Sequence, residues 1–228
     1  MGYDMYIIGE STAEEDTAEQ AARLAFDAAV KRRDQFPRGS AEAKDAQEDV
    51  QRASRTLDAA NVGYFRLNIW GMSRCVDIMD DAGMVKGGEP DEEWPKFPLD
   101  PELQDAVYEA FDRGTGADQR QTENWQRWYG ELTITDEQWA QAKAYVDETR
   151  RHLALHDKDT PGIAAHKFDS NDGWIVTPFE IKYALKAWDS LGDDRRAEIL
   201  AAHGDPEWFA GWVEWLRRAE GRDGFTVH

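Results

Sequence analysis

The chain has few of the features that announce an activity. It holds one cysteine, Cys75, in 228 residues. An intramolecular disulfide is therefore impossible, and the composition fits a reducing, cytoplasmic setting. No apolar run approaches the ~20 residues that a membrane-crossing helix needs. The opening MGYDMYIIGE has no basic stretch and no long apolar segment, so it does not read as a secretory leader. There is no G-x-S-x-G, no phosphate loop and no dinucleotide fingerprint. Basic residues are scarce as well: 27 Lys and Arg stand against 46 Asp and Glu, a net charge of −19. Such a chain repels nucleic acid and anionic membranes and favours basic partners or cations. The same acidity also serves solubility or adaptation to high salt. Carboxylates are so common that spacing cannot single out a catalytic pair.

Aromatic residues are plentiful. Ten Trp, seven Tyr and nine Phe, within a 41% hydrophobic fraction, can build a core despite the charge. Residues 3–8 read as a short strand. Ala18, Ala21, Ala22, Leu24, Ala25, Ala28 and Ala29 then repeat at helical spacing. Phe36-Pro37-Arg38-Gly39-Ser40 breaks that helix, with Ser40 capping the next. Ala43, Ala46, Val50, Ala53, Leu57 and Ala60 form a heptad seam, so the two helices should pair as an antiparallel hairpin. Residues 64–70 alternate like a strand that could pair with 3–8. A short helix carrying Val76 and Met79 follows. Residues 86–100 are rich in Gly, Pro and acid and form the best boundary.

Beyond it, helices are expected at 101–113, 135–155, 179–191, 193–202 and 205–220. Short strands are expected at 174–176 and 225–227. The expected fold is α+β and predominantly α-helical. An Ala-rich hairpin and a Trp-rich helical half surround a small antiparallel sheet. The expected organisation is 1–86, a linker or loop at 87–100, and a helical region at 101–228, with one continuous domain as the alternative.

Four constellations are candidates for function. On a strand over 64–70, Tyr64, Arg66, Asn68 and Trp70 share one face, with Arg74 just beyond. Aromatics flanking an arginine make a ligand shelf; the structural alternative is an ordinary strand whose Arg66 pairs with a carboxylate. Residues 169–180 resemble an EF-hand calcium loop, with Asp169 first, Asn171 third and Glu180 twelfth, and Asp172 as a further oxygen donor. Gly173 and Trp174 depart from that pattern, and a plain turn into a capped helix is the alternative. His152 and His156 stand four apart, the spacing of two zinc ligands, with His166 or Asp159 as a third. They also suit the negative end of a helix dipole. Trp208, Trp212 and Trp215 form one helix stripe, either core or interface.

The runs MGYDMY, YFRLNIWGM and NDGWIVTP resemble acidic proteins of actinobacteria and their phages. That resemblance implies a bacterial or phage origin and transfers no functional residue. The function expected is a non-catalytic acidic protein-binding module, an accessory or toxin-neutralising factor that recognises a basic protein. No cofactor is expected. The alternatives are a calcium- or zinc-binding protein and an enzyme of unrecognised type.

Overall fold

Hydroxyl and amide side chains start most of the helices. Thr12, Ser40, Asn68, Thr122, Thr135 and Thr177 each accept a hydrogen bond from a backbone N–H of the first turn. Each satisfies a donor that has no partner within its own helix. In the computed structural model the described residues are 2–9, 11–37, 39–86, 92–112, 116–156, 159 and 161–228. Part of the expected 87–100 linker and part of the loop after residue 112 lie outside them.

The chain divides into two compact units, one of residues 10–65 and one of residues 1–9 with 66–228. The division does not fall at 87–100. Residues 2–7 join a sheet with the C-terminal tail, so the N-terminus belongs with the second half of the sequence.

The smaller unit is the expected hairpin of α1 (Ala13–Arg33) and α2 (Ala41–Ala60). Ala46 and Val50 of the α2 seam are buried, as is Ala22 of α1. Arg32 Nη1 donates to Asp49 Oδ2 at 2.7 Å and ties the helices together. The broad alanine face expected on α1 is mostly exposed, and Leu24 is 65% exposed. A hairpin helix has one helical neighbour and buries one seam, here running through Ala22, Phe26, Ala29 and Val30.

The larger unit holds a four-stranded sheet in the order β2 (Tyr64–Asn68), β1 (Gly2–Ile7), β4 (Phe225–Val227), β3 (Trp174–Val176). The tail strand β4 is central and antiparallel to both neighbours. Met5 and Trp174 stand opposite Val227, and Ile7 and Val176 stand opposite Phe225. Against the sheet lies α9 (Trp208–Glu220), whose Trp212 and Trp215 stack at 5.3 Å and both meet Phe225. Trp212 and Trp215 of the tryptophan stripe are therefore core, and Trp208 is half-buried. Trp212 Nε1 donates to Met79 Sδ on α3 (Ile69–Asp81), at 3.4 Å. Cys75 of α3 is also buried, which pushes its thiol pKa up and leaves it unreactive. A bidentate pair from Arg217 to Asp189 joins α9 to α7 (Pro178–Ser190) and holds the Asp189 carboxyl low. Next in sequence, α8 (Asp193–Ala202) buries Ile199.

A second apolar cluster joins α4 (Gln104–Ala110), α5 (Glu123–Tyr129) and α6 (Asp136–Leu153) through Val107, Ala110, Phe111, Trp125, Ala142 and Val146. The periodicity gave no sign of α5, which is only two turns long. The helix expected at 101–113 opens as a 3-10 turn, Pro101–Leu103, and α4 ends at Ala110. Among the described residues no helix is long and apolar enough to cross a membrane.

Candidate functional site

Tyr64, Arg66 and Asn68 alternate along β2 as expected, but Trp70 does not join them. Asn68 Oδ1 accepts from Gly71 N at 2.7 Å and starts α3 there, so Trp70 sits in the first helical turn rather than on the strand. Local capping outweighs the β alternation of this segment. Arg66 pairs with Asp4 on β1 at 3.5 Å, as expected for an ordinary strand arginine. Tyr64 is half-buried, and Arg74 is exposed on α3. Trp70 itself is 83% exposed. We therefore expect Trp70→Ala to change stability by no more than about 0.5 kcal/mol. A urea midpoint measurement showing a loss above about 1 kcal/mol would contradict its placement at the surface.

The calcium-loop residues point in different directions. Asp169, Asn171 and Asp172 are exposed, whereas Glu180 is fully buried. Asn171 Nδ2 donates to the Gly2 carbonyl at 3.2 Å, and Asp172 Oδ2 accepts from Ser170 Oγ at 2.6 Å. Glu180 closes a capping box on α7. Its Oε2 accepts from Thr177 N and Oγ1, each at 2.9 Å, and from Lys167 Nζ at 2.8 Å. Lys167 also donates to the Ile175 carbonyl at 2.6 Å and is fully buried. A single ammonium thus pins a 3-10 turn (Ala165–Phe168), β3 and α7 together. No sequence signal marked Lys167.

The histidines do not converge either. His152 lies in the last turn of α6, buried against Trp94 with ring centroids 4.2 Å apart. The helix stops at Leu153, before His156, whose ring stacks on Phe179 at 4.9 Å. His166 packs edge-on to Trp174, and Asp159 is exposed. Among the described residues no three His, Cys, Asp or Glu side chains gather as metal ligands.

Two depressions share the walls made by Tyr108 and Phe111 at the end of α4. The first is a groove of about 650 Å³ between α4 and the β1–β4 strand pair of the larger unit. Asp4, Glu109 and Asp112 supply its carboxylates and Tyr6, Tyr108 and Phe111 its rings, and among the described residues no Lys or Arg lines it. Glu109 and Asp112 are exposed at the rim, and Tyr6 is 46% exposed. Tyr6 also meets the His228 ring edge-on at 5.9 Å. The groove exists because β4 sits beside β1, which brings residues 4–9 and 226–228 to one wall.

The second is a cleft of about 430 Å³ between α4 and α6, lined also by Trp94 and Asp172. Tyr108 and Tyr145 face each other with their hydroxyls 2.7 Å apart, and Gln104 Nε2 donates to Tyr108 at 3.1 Å. Phe97 packs edge-on to Tyr145 at 5.3 Å and supports that wall. Arg150 and Thr149 project from α6 into the lining. Of this set, the sequence offers only Asp172 as a functional candidate. The others are ordinary core aromatics and helix-surface residues until α4 and α6 are placed side by side. No protein-family model, curated protein or solved structure matches this chain.

Proposed function

We propose that this chain is a non-catalytic binding protein that recognises a basic segment of a protein partner in the groove beside α4. The carrying observation is the groove's lining, carboxylates interleaved with aromatic rings and, among the described residues, no Lys or Arg. That combination suits a Lys or Arg side chain. The stem lies on the rings, the cationic head meets Glu109 or Asp112, and a ring face adds about 0.5–2 kcal/mol. The net charge of −19 raises the encounter rate with such a partner.

The test uses a fluorescein-labelled Arg/Lys-rich decapeptide and its Asp/Glu counterpart, followed by anisotropy. The basic peptide should bind and should weaken steeply as salt rises, while the acidic one should not bind. Glu109→Gln with Asp112→Asn should weaken binding about tenfold at low salt, since close charge pairs at interfaces couple by about 1.5 kcal/mol or more. Asp194→Asn with Glu207→Gln removes two exposed charges elsewhere and should leave the affinity nearly unchanged. Equal losses in the two double variants would show that bulk charge, not the groove, attracts the peptide. Binding that ignores salt would sink the electrostatic reading itself.

A further inference from the structure

We infer that the cleft between α4 and α6 binds a small aromatic zwitterion, of the class of the free aromatic amino acids. Its volume of about 430 Å³ lies within the range of small-molecule sites. The walls are ring faces and edges from Trp94, Tyr108, Phe111 and Tyr145, which suit a flat apolar group. Two lining side chains carry opposite charge: Arg150 from α6 and Asp172 from the loop before β3. A guanidinium takes a carboxylate, and a carboxylate takes an ammonium. A ligand bearing both, beside an aromatic ring, uses the whole lining. A simple aromatic anion would bring no ammonium to Asp172, and a simple aromatic amine would bring no carboxylate to Arg150.

The tyrosine pair gives the cleft a hydroxyl-bearing wall that is already rigid, because Gln104 and Phe97 hold it. Little ordering cost then falls on binding. This site differs from the acidic groove in its charged groups, and neither depends on the other being occupied.

Isothermal titration calorimetry with three probes tests the inference: L-tryptophan, indole-3-acetate and tryptamine. L-tryptophan should bind most tightly, because only it engages both charges. Arg150→Met should weaken both L-tryptophan and indole-3-acetate by about tenfold or more. Asp172→Asn should weaken L-tryptophan and tryptamine and spare indole-3-acetate. Arg150→Lys keeps the charge and should retain part of the affinity, which separates charge loss from misfolding. The inference is overturned if none of the probes gives heat, or if indole-3-acetate or tryptamine matches L-tryptophan. It is equally overturned if Arg150→Met leaves tryptophan binding unchanged in a variant that melts like the parent.

Discussion

Replacing Lys167 by Met should lower the stability of the larger unit by about 3–5 kcal/mol. The reason is the state in which it leaves Glu180. Both side chains are fully buried, and Lys167 is the only cation that Glu180 meets, at 2.8 Å, among the described residues. Removing the ammonium strands a carboxylate in the core and leaves the Ile175 carbonyl without its 2.6 Å donor. At about 2–4 °C per kcal/mol for a unit of this size, the melting temperature should fall by roughly 6–20 °C. Tryptophan fluorescence follows this unit alone, because all ten tryptophans lie between residues 70 and 215. Lys167→Met with Glu180→Gln should recover most of the loss. The amide introduced by Glu180→Gln can still close the capping box on α7 and carries no charge to strand. If the single variant melts within a degree or two of the parent, the pair is not buried as described.

The same lysine carries a pH signature. Burial pushes its pKa below the ordinary lysine value, while the attraction of Glu180 pulls the other way and is the smaller effect. The unfolded chain then holds the proton more tightly than the folded chain. Between the lowered folded value and the unfolded value near about 10.4, unfolding takes up a proton, so stability rises with pH across that window. Below the folded value the penalty is constant. The stability of the parent relative to the Lys167→Met/Glu180→Gln double variant should therefore increase as pH climbs toward about 10.4. Urea titrations of both proteins at a series of alkaline pH values would show it. A difference that shrinks with pH would mean that the folded chain holds this proton more tightly, not less.

Gly224→Ala should cost about 2–5 kcal/mol, combining left-handed strain with a backbone clash. Gly224 sits at φ +88° where α9 hands over to β4. A Cβ there would lie 2.1 Å from the Val176 carbonyl oxygen and 3.2 Å from Thr177 Cα. Those atoms are backbone and cannot swing aside. Either β3 shifts or β4 leaves its register with Val176 opposite Phe225. The loss would also reach β1, because Gly224 O accepts from Ile8 N at 2.8 Å. Gly221, three residues earlier, is the control. Its φ is −72°, and the nearest atom to an added Cβ is the Arg218 carbonyl oxygen at 3.5 Å. Gly221→Ala should stay within about 0.5 kcal/mol. Hydrogen exchange at Phe225 and Val227 should accelerate in Gly224→Ala and not in Gly221→Ala. Equal melting of the two variants would contradict the close approach of β4 to β3.

All the helices but α5 were legible because their signals are local. Thr135 with Gln138, Ser40 before the alanine seam, and Thr177-Pro178 each announce a helix start within four residues. Residues 174–176 and 225–227, short runs of aromatic and β-branched residues, read as the two later strands. The α+β class, the Ala-rich hairpin and the burial of Trp212 and Trp215 followed from periodicity and composition alone. Local signals also misled where two of them competed. Residues 64–70 alternate like a strand, yet the Asn68 side chain captures the Gly71 amide and turns the chain into α3. Trp70 was lost from the expected shelf for that reason. His152 and His156 have metal-ligand spacing only if α6 continues, and it ends at Leu153.

The sequence by itself determined the acidic charge, the helical content, the capped starts and the small sheet. Only the tertiary structure decided that the last strand runs between the first and the third, that Lys167 meets Glu180, and that Asp172 and Arg150 line the same cleft. The physical reason is range. A cap or an amphipathic stripe is settled by residues within a turn or two of each other. The pairing of Met5 with Val227 is settled by which apolar faces can be buried together once the backbone polar groups are paired, and no local pattern in the sequence encodes that choice.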